Sequence, residues 1–122
     1  TVRAIEDNSY VKKLLETDGE GCVMVVDGEG SDKCALMGDN LAALAAENNW
    51  SGIIINGYIR DSEEINKIPI SIKAIGLVPN KSEKKNIGEY SCDLNFANAV
   101  FKENEFVYSD PDGIVISKTK LL

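Results

Sequence analysis

The sequence has 122 residues, 13 of them basic and 20 acidic, for a net charge of −7, with 43% apolar and 27% charged residues. These are the proportions of a single folded domain over residues 1–122, with apolar material for a core that needs no metal or disulfide staple. They exclude intrinsic disorder, a helical membrane span and phosphate-directed binding of nucleic acid, which needs a basic face; a basic protein partner stays open.

There is no histidine. Ser-His triads, Cys-His pairs and His-ligated zinc are excluded together. Any general acid or base is then a carboxylate, a lysine, a tyrosine, a cysteine or a water on a metal. Cys22, Cys34 and Cys92 are an odd set without C-x-x-C spacing. They imply no disulfide framework, a cytoplasmic setting and three buried small hydrophobes.

In chain order, the β-branched start reads as a strand over Thr1–Ile5. Asp7-Asn8-Ser9 offers caps for a helix over Tyr10–Glu16, whose Tyr10, Val11, Leu14 and Leu15 form one apolar stripe. Asp18-Gly19 and Gly21 stop it. Cys22–Val26 is a continuous apolar run, the pattern of a strand buried on both faces. Asp27–Ser31 is a turn-rich loop and Cys34–Met37 a short strand. Gly38-Asp39 precedes a helix over Asn40–Asn49, with Leu41, Leu44 and Ala45 on one face. Ile53–Ile55 is another buried strand. Alternation of strand and helix to this point predicts an α/β fold with parallel pairing. Beyond it, Ile70–Val78, Tyr90–Phe96, Ala99–Phe101, Phe106–Ser109 and Ile114–Ser117 read as short strands between turns. Lys81–Lys85 reads as a charged surface loop and Asp110–Gly113 as a tight turn. The expectation is a mixed, β-rich sheet or barrel with two or three helices.

Two short segments can carry chemistry. At Gly38-Asp39-Asn40-Leu41, Asp39 is either the helix N-cap or the neighbour of an anion held by the N–H groups of Asn40 and Leu41. At Arg60-Asp61, the pair is either a surface ion pair or a functional site at the carboxyl end of the Ile53–Ile55 strand. In the second case Arg60 offers a planar fork to a carboxylate or keto oxygen, and Asp61 is a hard oxygen ligand for Mg²⁺ or Mn²⁺. The two segments form the pattern D-x20-R-D.

The surrounding residues carry a family resemblance. Val25-Val26-Asp27-Gly28-x-Gly30-Ser31, Ala35-Leu36-x-Gly38-Asp39-x-Leu41-Ala42, Asn48-x-Trp50-x-Gly52-Ile53 and Asn56-Gly57-x-x-Arg60-Asp61 resemble the regulator of ribonuclease E activity A-like family. That family includes the 4-hydroxy-4-methyl-2-oxoglutarate aldolases. The likeness continues through Lys73–Gly76, Asn80-Lys81-Ser82 and Tyr108–Ile114. It also takes in Thr1-Val2-x-x-x-Glu6-Asp7-Asn8, which lies well inside family members, so the sequence is expected to lack the family's N-terminal segment.

The resemblance implies a swivelling β/β/α domain that assembles as trimers or multiples of trimers. It implies a class II, metal-dependent pyruvate aldolase or oxaloacetate decarboxylase, because the catalytic branch carries D-x20-R-D. By this carry-over Gly38, Asp39, Asn40, Leu41 and Arg60 bind the 2-keto acid. Asp61 binds a divalent cation, Mg²⁺ or Mn²⁺, and Asp39 assists through water. Retro-aldol cleavage and decarboxylation share a pyruvate enolate, so one site serves both. Long aldolases of the family add a C-terminal acid to the neighbouring subunit's site. Here the sequence ends at Leu122, which favours oxaloacetate over branched keto acids. The alternative is the family's non-catalytic branch, an acidic regulator that binds a ribonuclease. A methyltransferase reading finds little support, since Gly28-x-Gly30 follows a strand without opening a helix.

Overall fold

The computed structural model describes residues 1–122. Two apolar strands form its centre. β2 (Val23–Asp27) pairs in parallel with β4 (Gly52–Asn56), Val25 facing Ile54 in register. Their side chains alternate between two cores. Met24, Val26, Ile53 and Ile55 join the larger cluster, while Val25 and Ile54 join a smaller one with Leu94 and Phe101. A strand covered on both faces needs no polar side, which is why both segments read as unbroken apolar runs.

β1 (Val2–Arg3) and β6 (Ser71–Lys73) extend this sheet in parallel, and β8 (Glu89–Tyr90) closes one edge antiparallel, giving the order β6-β4-β2-β1-β8. Helix α1 (Ser9–Leu15) buries Val11 and Leu15 in the larger core and turns Lys12 and Lys13 outward. Full burial of one such side chain contributes about 2 kcal/mol. Helix α2 (Asp39–Glu47) presents Ala42 and Ala45, both wholly buried, and leaves Leu41 and Leu44 half-buried. Small residues at the contact let the helix sit close to its neighbours.

A second sheet, order β3-β5-β7, is parallel throughout: β3 (Ala35–Met37), β5 (Tyr58–Ile59) and β7 (Gly76–Leu77). Helix α3 (Ser62–Ile65) follows β5. Two antiparallel hairpins complete the chain. β9 (Leu94–Phe96) pairs with β10 (Ala99–Phe101), with Phe96 stacked on Phe101 at 4.5 Å. β11 (Phe106–Asp110) pairs with β12 (Gly113–Ser117) around the Pro111-Asp112 turn, where the Asp110 carboxylate accepts the N–H groups of Asp112 and Gly113.

The architecture is the expected β-rich α/β fold with three helices, and several boundaries differ. Ile70–Val78 is two strands in different sheets, because β6 pairs with β4 while β7 pairs with β5. Tyr90–Phe96 likewise divides into β8 and β9. β5 and α3 have no counterpart in the sequence reading. Cys34 is buried as expected and Cys92 half-buried, whereas Cys22 is exposed, in the turn before β2. No helix is long and apolar enough to cross a membrane.

Candidate active site

The site arises from one register. β3 and β5 run in parallel with Met37 opposite Ile59, and the Arg60 N–H donates to the Met37 carbonyl at 3.0 Å. The residues leaving the two strands, Gly38-Asp39 and Arg60-Asp61, therefore emerge side by side. The D-x20-R-D spacing is the sequence trace of that parallel pairing. Arg60 thus sits at the carboxyl end of β5, in the smaller sheet, and not at the end of Ile53–Ile55, which lies in the five-stranded sheet. The expectation failed because a two-residue strand is too short to leave a periodic signal.

Gly38, and not Asp39, occupies the N-cap position of α2, and Asp39 is the first helical residue. Gly38 has no side chain with which to cap. Asp61 supplies the acceptor instead: its Oδ2 takes the Asp39 N–H at 3.2 Å. Asp61 reaches it from a left-handed backbone (φ 61°, ψ 39°), a conformation Asp tolerates better than most residues. A carboxylate there also faces the positive end of the α2 dipole. The N–H groups of Asn40 and Leu41, in the same first turn, have no intrahelical acceptor.

Arg60 Nε lies 3.9 Å from Asp61 Oδ2, with both side chains about a third exposed. So loose a pair contributes little to stability. The guanidinium donates no hydrogen bond within the chain, so its planar fork remains available to an anion. Gly38 is packed against both groups: a Cβ there would lie 2.6 Å from Asp61 Oδ2 and 3.1 Å from Arg60 Nε. A cleft of about 290 Å³ gathers Gly38, Asn40, Leu41 and Arg60. A second, of about 270 Å³, holds Arg60 and Asp61 against Leu77, Val78 and Pro79. Asp39 joins through its backbone; its side chain lines neither cleft.

No group of three or more Cys, Asp or Glu side chains is gathered as a metal cage. Mg²⁺ does not require one: it commonly binds one or two carboxylates and keeps its waters. The Asp61 carboxylate, with one oxygen on the Asp39 N–H and the other accepting no hydrogen bond from the chain, is a donor of that kind.

The sequence reading missed further residues of the cleft lining. They are Lys12 of α1 and Lys81 and Lys84 of the segment between β7 and β8. That segment is the charged, exposed loop expected over Lys81–Lys85, and it is fastened to the body of the chain. Buried Asp7 accepts the N–H groups of Lys85 (2.8 Å) and Ile87 (3.0 Å), besides the N–H and hydroxyl of Ser9. Ser82 exchanges hydrogen bonds with Asn8. Burial pushes the Asp7 carboxyl up, but the donors from Ser9, Ile87 and Lys85 outweigh it and hold its pKa at about 2. The only local signal was Asp7-Asn8-Ser9, which reads as a helix cap. Its partners lie 74 to 80 residues away, beyond any local pattern.

The RraA-like family model, described as Aldolase/RraA, matches residues 1–116. The chain belongs to this family. It is 47% identical over 121 residues to an Arabidopsis thaliana protein named "Putative 4-hydroxy-4-methyl-2-oxoglutarate aldolase 3", covering 99% of this chain and 73% of the relative. Among solved structures, a Geobacillus kaustophilus protein titled S-adenosylmethionine: 2-dimethylmenaquinone methyltransferase superposes with TM-score 0.95 at 44% identity, covering 98% of this chain and 74% of that one. The RNA-processing inhibitor RraA from Thermus thermophilis superposes with TM-score 0.94 at 38% identity, covering 96% and 71%. The family and the fold are thus those that the sequence motifs resembled.

Proposed function

We propose that the protein is a divalent-metal-dependent carbon–carbon lyase that acts on 2-keto acids through a pyruvate enolate. Its substrates would be 4-hydroxy-4-methyl-2-oxoglutarate, oxaloacetate or both. The observation that carries this is the convergence around Gly38: an uncommitted guanidinium that lines two clefts, a carboxylate with a free oxygen in one of them, and the open N–H groups of a helix start in the other. The aldolase name of a relative at 47% identity supports it.

In this reading the N–H groups of Asn40 and Leu41 hold the substrate carboxylate. Arg60 places its fork on the carboxylate and keto oxygens, and its charge stabilises the enolate as the C3–C4 bond breaks. Gly38 leaves the backbone open at the point of closest approach. Asp61 would hold the divalent cation, which supplies Lewis-acid stabilisation of the developing negative charge. Asp39, beside the cleft mouth, would position a water that takes the 4-hydroxyl proton of the aldol substrate as the C3–C4 bond breaks and returns a proton to the enolate carbon, an acid–base task that a carboxylate and water can perform without histidine.

The test is turnover of oxaloacetate and of 4-hydroxy-4-methyl-2-oxoglutarate with Mg²⁺, with EDTA, and with Asp61→Asn. Asn keeps an acceptor for the Asp39 N–H and tolerates the left-handed backbone, so the variant removes charge rather than fold. The expected result is metal-dependent turnover that EDTA and the variant each reduce at least about a hundredfold. Turnover indifferent to both would refute the reading.

The same proposal includes a homotrimer, or a multiple of one, with a neighbouring subunit over the site. It is supported by Ile75 and Leu77, more than half exposed, with Leu77 lining the Asp61 cleft. A second reading, an acidic regulator of a ribonuclease, is favoured by the −7 charge and by the inhibitor title of the Thermus relative. A methyltransferase has less to stand on. The Gly28 turn is occupied by packing, since a Cβ there would lie 2.6 Å from Leu36, and Asp27 ties it to Glu29 and Asn56.

A further inference from the structure

Asp7 is the most deeply buried polar side chain of the protein, 2% exposed, and it lines neither cleft. Its two oxygens serve two distant parts of the chain. Oδ1 accepts the N–H and the hydroxyl of Ser9, at the start of α1. Oδ2 accepts the N–H groups of Lys85 and Ile87, 78 and 80 residues further on. Ser9 Oγ in turn accepts the Asn86 N–H at 3.3 Å. Three successive N–H groups of the β7–β8 segment thus end on one buried Asp–Ser pair. The left-handed backbone at Asn86 (φ 60°) brings the N–H groups on either side of it to the same oxygen. Successive N–H groups turned inward in this way form a nest, a concave site that takes an anion. Here the anion is the protein's own carboxylate.

The nest lies directly behind the cleft that contains Arg60 and Gly38. One end of the segment is tied to β3, where the Ala35 N–H donates to the Asn80 carbonyl at 2.8 Å, three residues before Gly38. At the other end Gly88 packs on Tyr10 of α1, with no room for a Cβ. Between these anchors Ser82 and Lys84 line the cleft, and Asn8, the neighbour of Asp7, lines it from the other side of the Asn8–Ser82 hydrogen bond. From Glu83 to Ile87 no backbone group pairs with another backbone group, so the Asp7–Ser9 pair is what holds this stretch by its backbone. The task needs a carboxylate. An Asn amide has one accepting and one donating end, so it can serve Ser9 or the nest but not both.

We propose that Asp7 is a positioning residue for the Arg60 cleft: by filling the nest at Lys85–Ile87 it holds the segment from Lys81 to Ile87 against the start of α1, in the shape that receives the substrate. The proposal rests on the assignment of Arg60 to substrate binding. Asp7 touches no reacting atom and acts through the lining in front of it. A cleft whose lining is unlatched must order that lining on binding, and the conformational entropy lost weakens affinity. Once the substrate is bound, Arg60 and Asp61 stand where they did, on β5, so the chemical step is little changed.

Three measurements on wild type and Asp7→Asn test the role: amide hydrogen exchange, the rate at which phenylglyoxal modifies Arg60, read by peptide mass, and oxaloacetate kinetics with Mg²⁺. Gly52→Ala, a packing change in the β4–β6 ladder that leaves Asp7 in place, is the control for lost stability. In Asp7→Asn, exchange at Lys85 and Ile87 should accelerate about tenfold more than in α1 and β2, and Arg60 should react about threefold faster. KM should rise about fivefold with kcat within about twofold, and Gly52→Ala should show none of these selective changes. Should Asp7→Asn fail to fold, Ser9→Ala, which removes the Asn86 acceptor and one donor to Asp7, should show the same changes at smaller size. Exchange at Lys85 and Ile87 that keeps step with α1 and β2 overturns the proposal. So does a loosened segment with the Arg60 rate and KM unchanged; metal-dependent turnover in that case leaves the lyase reading standing. If the segment loosens and Arg60 reacts faster in a protein without turnover, the positioning of the cleft stands and the lyase reading falls.

Discussion

Gly38 has extended dihedrals (φ −123°, ψ −166°) that any residue adopts, so what confines this position is space and not backbone freedom. A methyl group would push directly on Asp61 and Arg60. Gly38→Ala is expected to lower kcat/KM for oxaloacetate at least about tenfold through misplacement of both groups. The melting temperature, followed by circular dichroism, should shift only by a few degrees. Asp7 bears on stability directly. Its carboxyl is held near 2 in the fold against an ordinary 3.8. Because the folded value is the lower one, its contribution is complete above about pH 4. It is lost as pH falls from about 4 to about 2, and amounts to about 2 kcal/mol. Urea midpoints of the wild type should fall through that window. Asp7→Asn should be weaker already at pH 7 and should lack this part of the acid dependence.

At the scale of elements, the long apolar segments were legible because period and length agree. α1, β2, β4 and β10 lie within a residue or two of their expected positions. β5 and α3, of two and four residues, were not legible, since their existence depends on the neighbours they pair with. The strand expected over Ile70–Val78 shows the same effect. Its residues favour extended backbone throughout, but the two sheets claim different ends of it. The central pairing tolerates little change. A Cβ at Gly52 would lie 2.9 Å from the Ser71 carbonyl oxygen, across the β4–β6 ladder. Gly52→Ala is expected to cost about 1–3 kcal/mol in chemical denaturation, the range for forced overpacking.

At the scale of the whole molecule, the charge distribution opposes the net charge. A −7 protein that carries a cationic cleft repels small anions at long range and attracts them only locally. If Arg60 holds the substrate, KM for oxaloacetate should rise as KCl goes from 20 to 300 mM, on the order of severalfold, while kcat changes little. The proposed trimer, built from 13.3 kDa chains, should scatter light with a mass of about 40 kDa or a multiple of it. A mass of one chain would leave Ile75, Leu77 and Ile87, all more than half exposed, facing water.

The sequence by itself determined the class of fold, the two-sided burial of β2 and β4, the absence of histidine chemistry and the identity of the segments at Gly38–Leu41 and Arg60-Asp61. Each of these is local: it depends on residue type, on spacing, or on motifs that survive as a string. Only the tertiary structure decided that Asp61 and not Asp39 supplies the acceptor at the start of α2, that β3 and β5 bring the two segments together, and that Asp7 fastens a lysine-bearing loop across the same cleft. Those are relations between residues 22 to 80 apart in the chain. They are set by strand register and by hydrogen bonds that close long loops, and no local pattern encodes such a partner.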